Sequence, residues 1–168
     1  MVNLFQNFPL TSKVLVYPGD KELDNSQKKI ANDLLTDFFK EWNTHGKFLT
    51  AAFEIVYGRF IIVCVDDSYV FPSGCSVDSL VRKVKETGLG TGINFLSNGL
   101  VFYIYGQVVK SIDTADLKNS IAKGEITPKT KVFNQVENLE NFKNNWLVEA
   151  ENTWLKRYFK SENLIAGL

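Results

Sequence analysis

The six-residue run FIIVCV at positions 60–65 constrains this chain most: it is apolar at every position, and a glycine two residues before it and two aspartates after it mark its ends. A strand with water on one face alternates apolar and polar residues, so a continuous run requires cover on both faces and a central place in its sheet. The run is also far too short to cross a bilayer, which takes roughly 20 apolar residues. Residues 48–56 precede it, and Tyr57-Gly58 or Gly58-Arg59 fits a tight turn because glycine tolerates the positive φ such turns demand. Residues 48–67 therefore read as a hairpin whose second strand is central.

The flanking elements follow from periodicity. Residues 13–17 (KVLVY), stopped by Pro18-Gly19, read as a strand. From Asp24 onward Ile30, Leu34, Phe38 and Trp42 recur every fourth residue beside Ala31, Leu35 and Phe39, the stripe of a long helix. Asp24 with Gln27 three residues later forms a capping box, and His45-Gly46 suits the helix's carboxyl end. Val77, Leu80, Val81 and Val84 predict a second helix, with Ser76 as its cap, Asp78 in its first turn and Gly88 as its stop. Residues 88–99 contain four glycines and read as a linker.

Beyond that linker, residues 100–105 and 108–112 form a second hairpin around Gly106-Gln107. Asp113 or Thr114 caps a short helix holding Leu117 and Ile121, Gly124 ends it, and residues 131–133 form a short strand. The rest, with Trp146, Trp154, Tyr158 and Phe159, reads as short helical pieces or irregular chain whose aromatic residues dock a terminal segment on the core. The expected class is α+β. A β-α-β-β-α N-terminal half built around the hairpin (residues 1–97) precedes a smaller α+β half (residues 98–168).

Charge excludes several functions. The chain carries 19 basic and 19 acidic residues, with 10 and 11 in residues 1–97 and 9 and 8 in residues 98–168. Neither half offers the basic field that displaces counterions from phosphates, so nucleic acid is not an expected partner. The first ten residues lack a charged start, an apolar run and a cleavage site, and Cys64 and Cys75 do not read as a disulfide pair, so a cytoplasmic location is expected. No membrane association is expected. Glu54, Asp66, Asp67 and Asp78 lack calcium-loop spacing, and one histidine with two cysteines cannot make a zinc site, so no metal and no cofactor are expected.

Four phrases stand out: FEIVYGRFIIVCVDD (53–67), SGCSVDSLVRKV (73–84), GEITPKTKVFN (124–134) and NNWLVEAENTWLKRYF (144–159). Together they resemble a family of small bacterial proteins often labelled "ABC transporter ATPase". That resemblance implies no established activity and no catalytic residues. The label itself meets no phosphate cradle of the form G-x-x-x-x-G-K-[ST], so ATP hydrolysis is not expected. Within residues 105–150, the order Gly106, Ile112, Leu117, Ile121, Gly124-Glu125-Ile126, Thr130, Val132-Phe133 and Trp146 to Ala150 is similar to bacterial GYF-type domains. This second resemblance implies a small adaptor fold that binds extended or proline-rich peptides.

Few residues carry chemistry. Cys75 stands at a helix start, where unpaired N–H groups and the helix dipole favour a thiolate, and His45 is the one available imidazole base. The structural alternatives are a small residue packed under a loop and a helix-terminal polar cap. Tyr57 and Arg59 at the hairpin tip suit a partner contact, and Ser73, Ser76 and Asp78 surround Cys75. Two function classes stay open. One is a non-catalytic binding or adaptor protein that recognises a protein or peptide; the other is a small enzyme built around Cys75.

Overall fold

In a computed structural model, residues 4–159 are described. They form an α+β protein of two compact units, Met1–Ser97 with Val136–Phe142, and Asn98–Gln135 with Lys143–Leu168.

The first unit holds strand β1 (Lys13–Pro18), helix α1 (Asn25–Glu41), a small ribbon β2 (Asn43–Thr44) and β3 (Lys47–Phe48), hairpin strands β4 (Thr50–Val56) and β5 (Phe60–Asp66), and helix α2 (Gly74–Thr91). Its main sheet is antiparallel in the order β1-β5-β4, which makes β5 central. Every residue from Phe60 to Val65 is buried, as the uninterrupted apolar run requires. Full burial stabilises each such side chain by about 1.5–3 kcal/mol relative to exposure, so β5 anchors the unit. Ile61, Val63 and Val65 share a core with Leu35 and Trp42 from the α1 side and with Leu80 and Val84 of α2. Helix α1 starts at the expected capping box: Asp24 accepts from the Gln27 N–H while the Gln27 side chain accepts from the Asp24 N–H, each at 2.8 Å.

Several boundaries differ from the sequence reading. Helix α1 stops at Glu41, and Trp42 turns extended because its carbonyl accepts the Leu49 N–H. His45-Gly46 is therefore the turn of the β2–β3 ribbon, with φ of 50° and 79°, and not a helix end. The α2 cap is Ser73, whose side chain accepts from the Ser76 N–H, and Ser76 lies inside the first turn. The helix also continues through Gly88 and Gly90, ending where Gly92 takes the left-handed conformation and returns its N–H to the Gly88 carbonyl. Hydrogen bonding and packing outweighed the low helix propensity of two glycines.

The second unit contains β6 (Leu100–Tyr105), β7 (Val108–Asp113), α3 (Leu117–Ala122), β8 (Lys131–Phe133), β9 (Leu147–Glu149) and α5 (Lys156–Phe159); α4 (Leu139–Asn145) begins in the first unit and ends in this one. The four strands pair in the order β7-β6-β8-β9. Asp113 caps the turn before α3 and Gly124 follows that helix with positive φ, both as expected. Strand β9 replaces part of the stretch expected as short helical pieces or irregular chain; three residues pairing across a sheet leave too short a pattern to recognise. Trp146 and Phe159 are buried, whereas Trp154 is exposed with the Arg157 guanidinium 5.0 Å from its ring.

Residues 136–142 return to the first unit because β1 offers them partners. Val14 donates its N–H to the Glu137 carbonyl, Leu139 and Glu140 donate theirs to the carbonyls of Ser12 and Leu10, and Phe142 meets Phe5 edge-on. The outer edge of β1 is thereby covered, which removes one site of unwanted strand pairing.

Candidate functional site

One end of the first unit carries a groove of about 630 Å³. Asp37, Phe38 and Glu41 of the last turns of α1 line it, followed by Trp42 and the ribbon residues Asn43, Thr44 and His45. Ser73, Cys75, Ser76, Ser79 and Lys83 supply the α2 side. The walls are tied through Trp42, whose indole Nε1 donates to the Ser76 carbonyl at 2.9 Å in a buried hydrogen bond. That tie explains why α1 ends where it does: a helical Trp42 followed by more helix could not place both its carbonyl toward Leu49 and its ring against α2.

The first turn of α2 is closed by serines. The Ser76 N–H donates to Ser73 Oγ at 3.2 Å, and the Ser76 hydroxyl donates to the Ser73 carbonyl at 2.8 Å. The Val77 N–H also reaches the Ser73 carbonyl. Cys75, the second residue of the helix, is exposed. This overturns the reading of Cys75 as packed under a loop; Cys64 is the buried cysteine, in the middle of β5.

Thr44 adds an unsatisfied group. It is 6% exposed, and its Oγ1 has no hydrogen-bond partner among the described residues. A buried hydroxyl left in that state costs about 1–3 kcal/mol. Charges around the groove nearly balance. Lys40 meets Asp37 at 3.4 Å and Lys83 meets Glu86 at 2.6 Å.

Large aromatic residues stand exposed on chain segments that adjoin groove-lining residues. Phe48 is the cross-strand partner of the groove residue Asn43, and Tyr69 and Phe71 lie just before the Ser73 cap. They are 70%, 92% and 70% exposed. Isolated exposed apolar residues need no explanation; three large aromatic side chains on two segments that flank groove residues make a candidate contact surface. The loop bearing two of them starts at Asp66, whose carboxylate takes the Ser68 hydroxyl at 2.6 Å and the Ser68 N–H at 3.0 Å. Those hydrogen bonds, the hydroxyl first, hold the Asp66 carboxyl below its ordinary pKa.

Cys75, His45, Ser73 and Ser76 are thus brought to one groove. Asp78 lies further along α2 on an exposed position outside the lining. Tyr57 and Arg59 sit just before β5, at the end of that strand opposite Asp66, and outside the groove lining. Tyr57, 40% exposed, forms the turn with φ of 54°. Arg59 is buried, contrary to its reading as a partner contact: its Nε donates to the Gly19 carbonyl at 3.0 Å and its Nη2 to the Asp20 carbonyl at 2.8 Å. Burial lowers the Arg59 pKa, with Asp20 and Glu22 opposing.

Sequence reasoning missed Asn43, Thr44, Lys83, Phe48, Tyr69 and Phe71. The available signal was the succession of Tyr69 and Phe71 in a loop that a core strand had already left. Among the described residues, no three His, Cys, Asp or Glu side chains gather as a metal site, and no helix is long and apolar enough to cross a membrane. The molecule belongs to the α+β class, with a groove at one end of its first unit. No family model, curated protein or solved structure matches the chain.

Proposed function

We propose that this protein is a non-catalytic intracellular adaptor that recognises a peptide segment of a partner protein at the groove end of its first unit. The observation that carries the reading is the exposure of Phe48, whose strand partner Asn43 lines the groove, and of Tyr69 and Phe71, in the segment just before the lining residue Ser73. Aromatic side chains supply large contact area at small entropic cost and dominate the energetic centres of interfaces. The likeness of residues 105–150 to GYF-type adaptor domains supports the same class. Selection of random peptides displayed with free carboxyl termini tests it. Synthetic versions of the enriched peptides should bind with micromolar affinity, and F48S/Y69S/F71S should weaken them at least tenfold, on the order of one hot-spot contact. Failure to enrich any peptide, or equal binding by the triple variant, refutes the proposal.

A second reading has one observation in its favour, the presence of Cys75 and His45 on the same groove. A small enzyme would use His45 to activate the Cys75 thiol. In that case His45→Gln slows alkylation of Cys75 by iodoacetamide at neutral pH; unchanged rates eliminate this reading.

A further inference from the structure

Resting on the peptide-binding reading, we infer that the bound segment adds to the open edge of β4 as a further strand, with a Lys or Arg opposite Glu54 and an apolar residue on each side of that cation. Strand β4 is seven residues long and pairs with β5 alone, in an unbroken register from Thr50↔Asp66 to Val56↔Phe60. Its other edge therefore presents the N–H and C=O groups of every second residue with no strand partner among the described residues. Folded proteins blunt such an edge with proline, lysine, a bulge or a covering segment. The opposite edge of the same sheet has its cover, residues 137–139 beside β1. The β4 sequence, TAAFEIV, contains neither proline nor lysine, and its register holds no bulge.

Two features define the chemistry of the added strand. Ala51, Phe53 and Ile55 pack against the core shared with α1 and α2 and stay half-buried, whereas their β5 partners Val65, Val63 and Ile61 are fully buried. Phe53 stacks on the half-buried Phe39 of α1 at 5.3 Å, so apolar side chains of an added strand would extend the cover over this face. Strand alternation sends Ala52, Glu54 and Val56 to the other face. Glu54 is exposed there, and its carboxylate has no ion pair or hydrogen bond among the described residues. A cation directly across from it forms a favourable cross-strand pair, and the residues before and after that cation fall on the apolar face. A second copy pairing antiparallel along all seven residues would instead set two Glu54 carboxylates on one diagonal, about 7–8 Å apart, where they repel. The edge also begins at Thr50, at the hairpin end that carries Phe48, Tyr69 and Phe71, so a segment running past Thr50 continues toward those rings.

Peptides from the selection decide the matter. Those enriched should hold a Lys or Arg between two β-branched or aromatic residues. Methylating their backbone nitrogens one at a time should weaken binding, read by fluorescence polarisation, at least fivefold at alternate positions and little between them, because an added strand hydrogen-bonds through every second residue. Hydrogen exchange by NMR should show alternate amides of residues 51–56 fast in the free protein and protected in the complex. Glu54→Lys should weaken the peptide about fivefold, the scale of one exposed ion pair, and replacing the peptide's cation by Glu should restore binding to that variant. If F48S/Y69S/F71S abolishes binding while the β4 amides stay unprotected and methylation shows no period of two, strand addition is refuted and peptide recognition stands. Free protein that is dimeric, with those amides already protected, gives the edge to a second copy and overturns the inference. An empty selection sinks both.

Discussion

The two ends of the first unit use the same kinds of element in opposite ways. At the Phe60 end of β5, backbone and side chains are spent on one another. The Gly19 N–H reaches the Arg59 carbonyl at 2.7 Å, and the Leu23 N–H reaches the Gly58 carbonyl at 2.8 Å. Asn94 and Asp20 exchange N–H groups for a carboxylate and a carbonyl, and the Gln27 amide closes on the Thr91 carbonyl at 2.8 Å. At the Asp66 end, Trp42 to Ser76 is the buried side-chain tie, Thr44 lacks a partner among the described residues, and Phe48, Tyr69 and Phe71 face solvent. Hydrogen-bonding capacity is used up at the first end and left partly unused at the second. A turn with satisfied donors holds a fold; one with unsatisfied donors and exposed rings can hold a ligand.

Arg59→Met should break the contrast most severely. It strips two backbone carbonyls of a buried guanidinium, and the expected loss is about 3 kcal/mol by chemical denaturation. A loss below that of replacing Phe48 by Ser would show that the closed end is not where stability resides.

A smaller effect separates two glycines on one helix. A Cβ on Gly88 would stand 2.6 Å from the Ile93 carbonyl oxygen, whereas one on Gly90 would meet Ile30 and Leu34 at 3.5 Å. Gly88→Ala should therefore cost about 2 kcal/mol through forced backbone displacement. Gly90→Ala should instead stabilise by up to about 1 kcal/mol through helix propensity. Thermal unfolding of the two variants checks the opposite signs; a shared sign would mean that α2 and the Ile93 segment are not in the close contact described.

The smallest expected effect lies at the open end. Ser68 lowers the Asp66 pKa, so its contribution to stability is present above the ordinary carboxylate range and fades as pH falls through the depressed folded value. Ser68→Ala should move the Asp66 titration midpoint upward in an NMR pH series, with almost no change in unfolding at neutral pH. A large neutral-pH destabilisation would place that loop among the stabilising parts of the molecule.

Local pattern carried much of the architecture. The apolar run of β5 placed it at the sheet centre because both its faces need cover. The Asp24–Gln27 box fixed the α1 start because cap and acceptor lie three residues apart, and Gly58 located the hairpin turn, which the structure builds from Tyr57-Gly58 rather than Gly58-Arg59. These are interactions between near neighbours, which a sequence displays directly.

Contacts between distant residues decided the rest. Whether α1 continues to His45 or stops at Glu41 turned on the Trp42 carbonyl taking the Leu49 N–H and its indole reaching a carbonyl 34 residues away. Whether Gly88 stops a helix turned on the space beside Ile93. Cys75 and His45 were each visible as chemical candidates, but their meeting on one groove required folding the ribbon onto the start of α2. The sequence by itself determined which segments must be buried and where short-range caps and turns begin. Only the tertiary structure decided which polar groups find partners and which do not, because that pairing depends on distances between residues far apart in the chain.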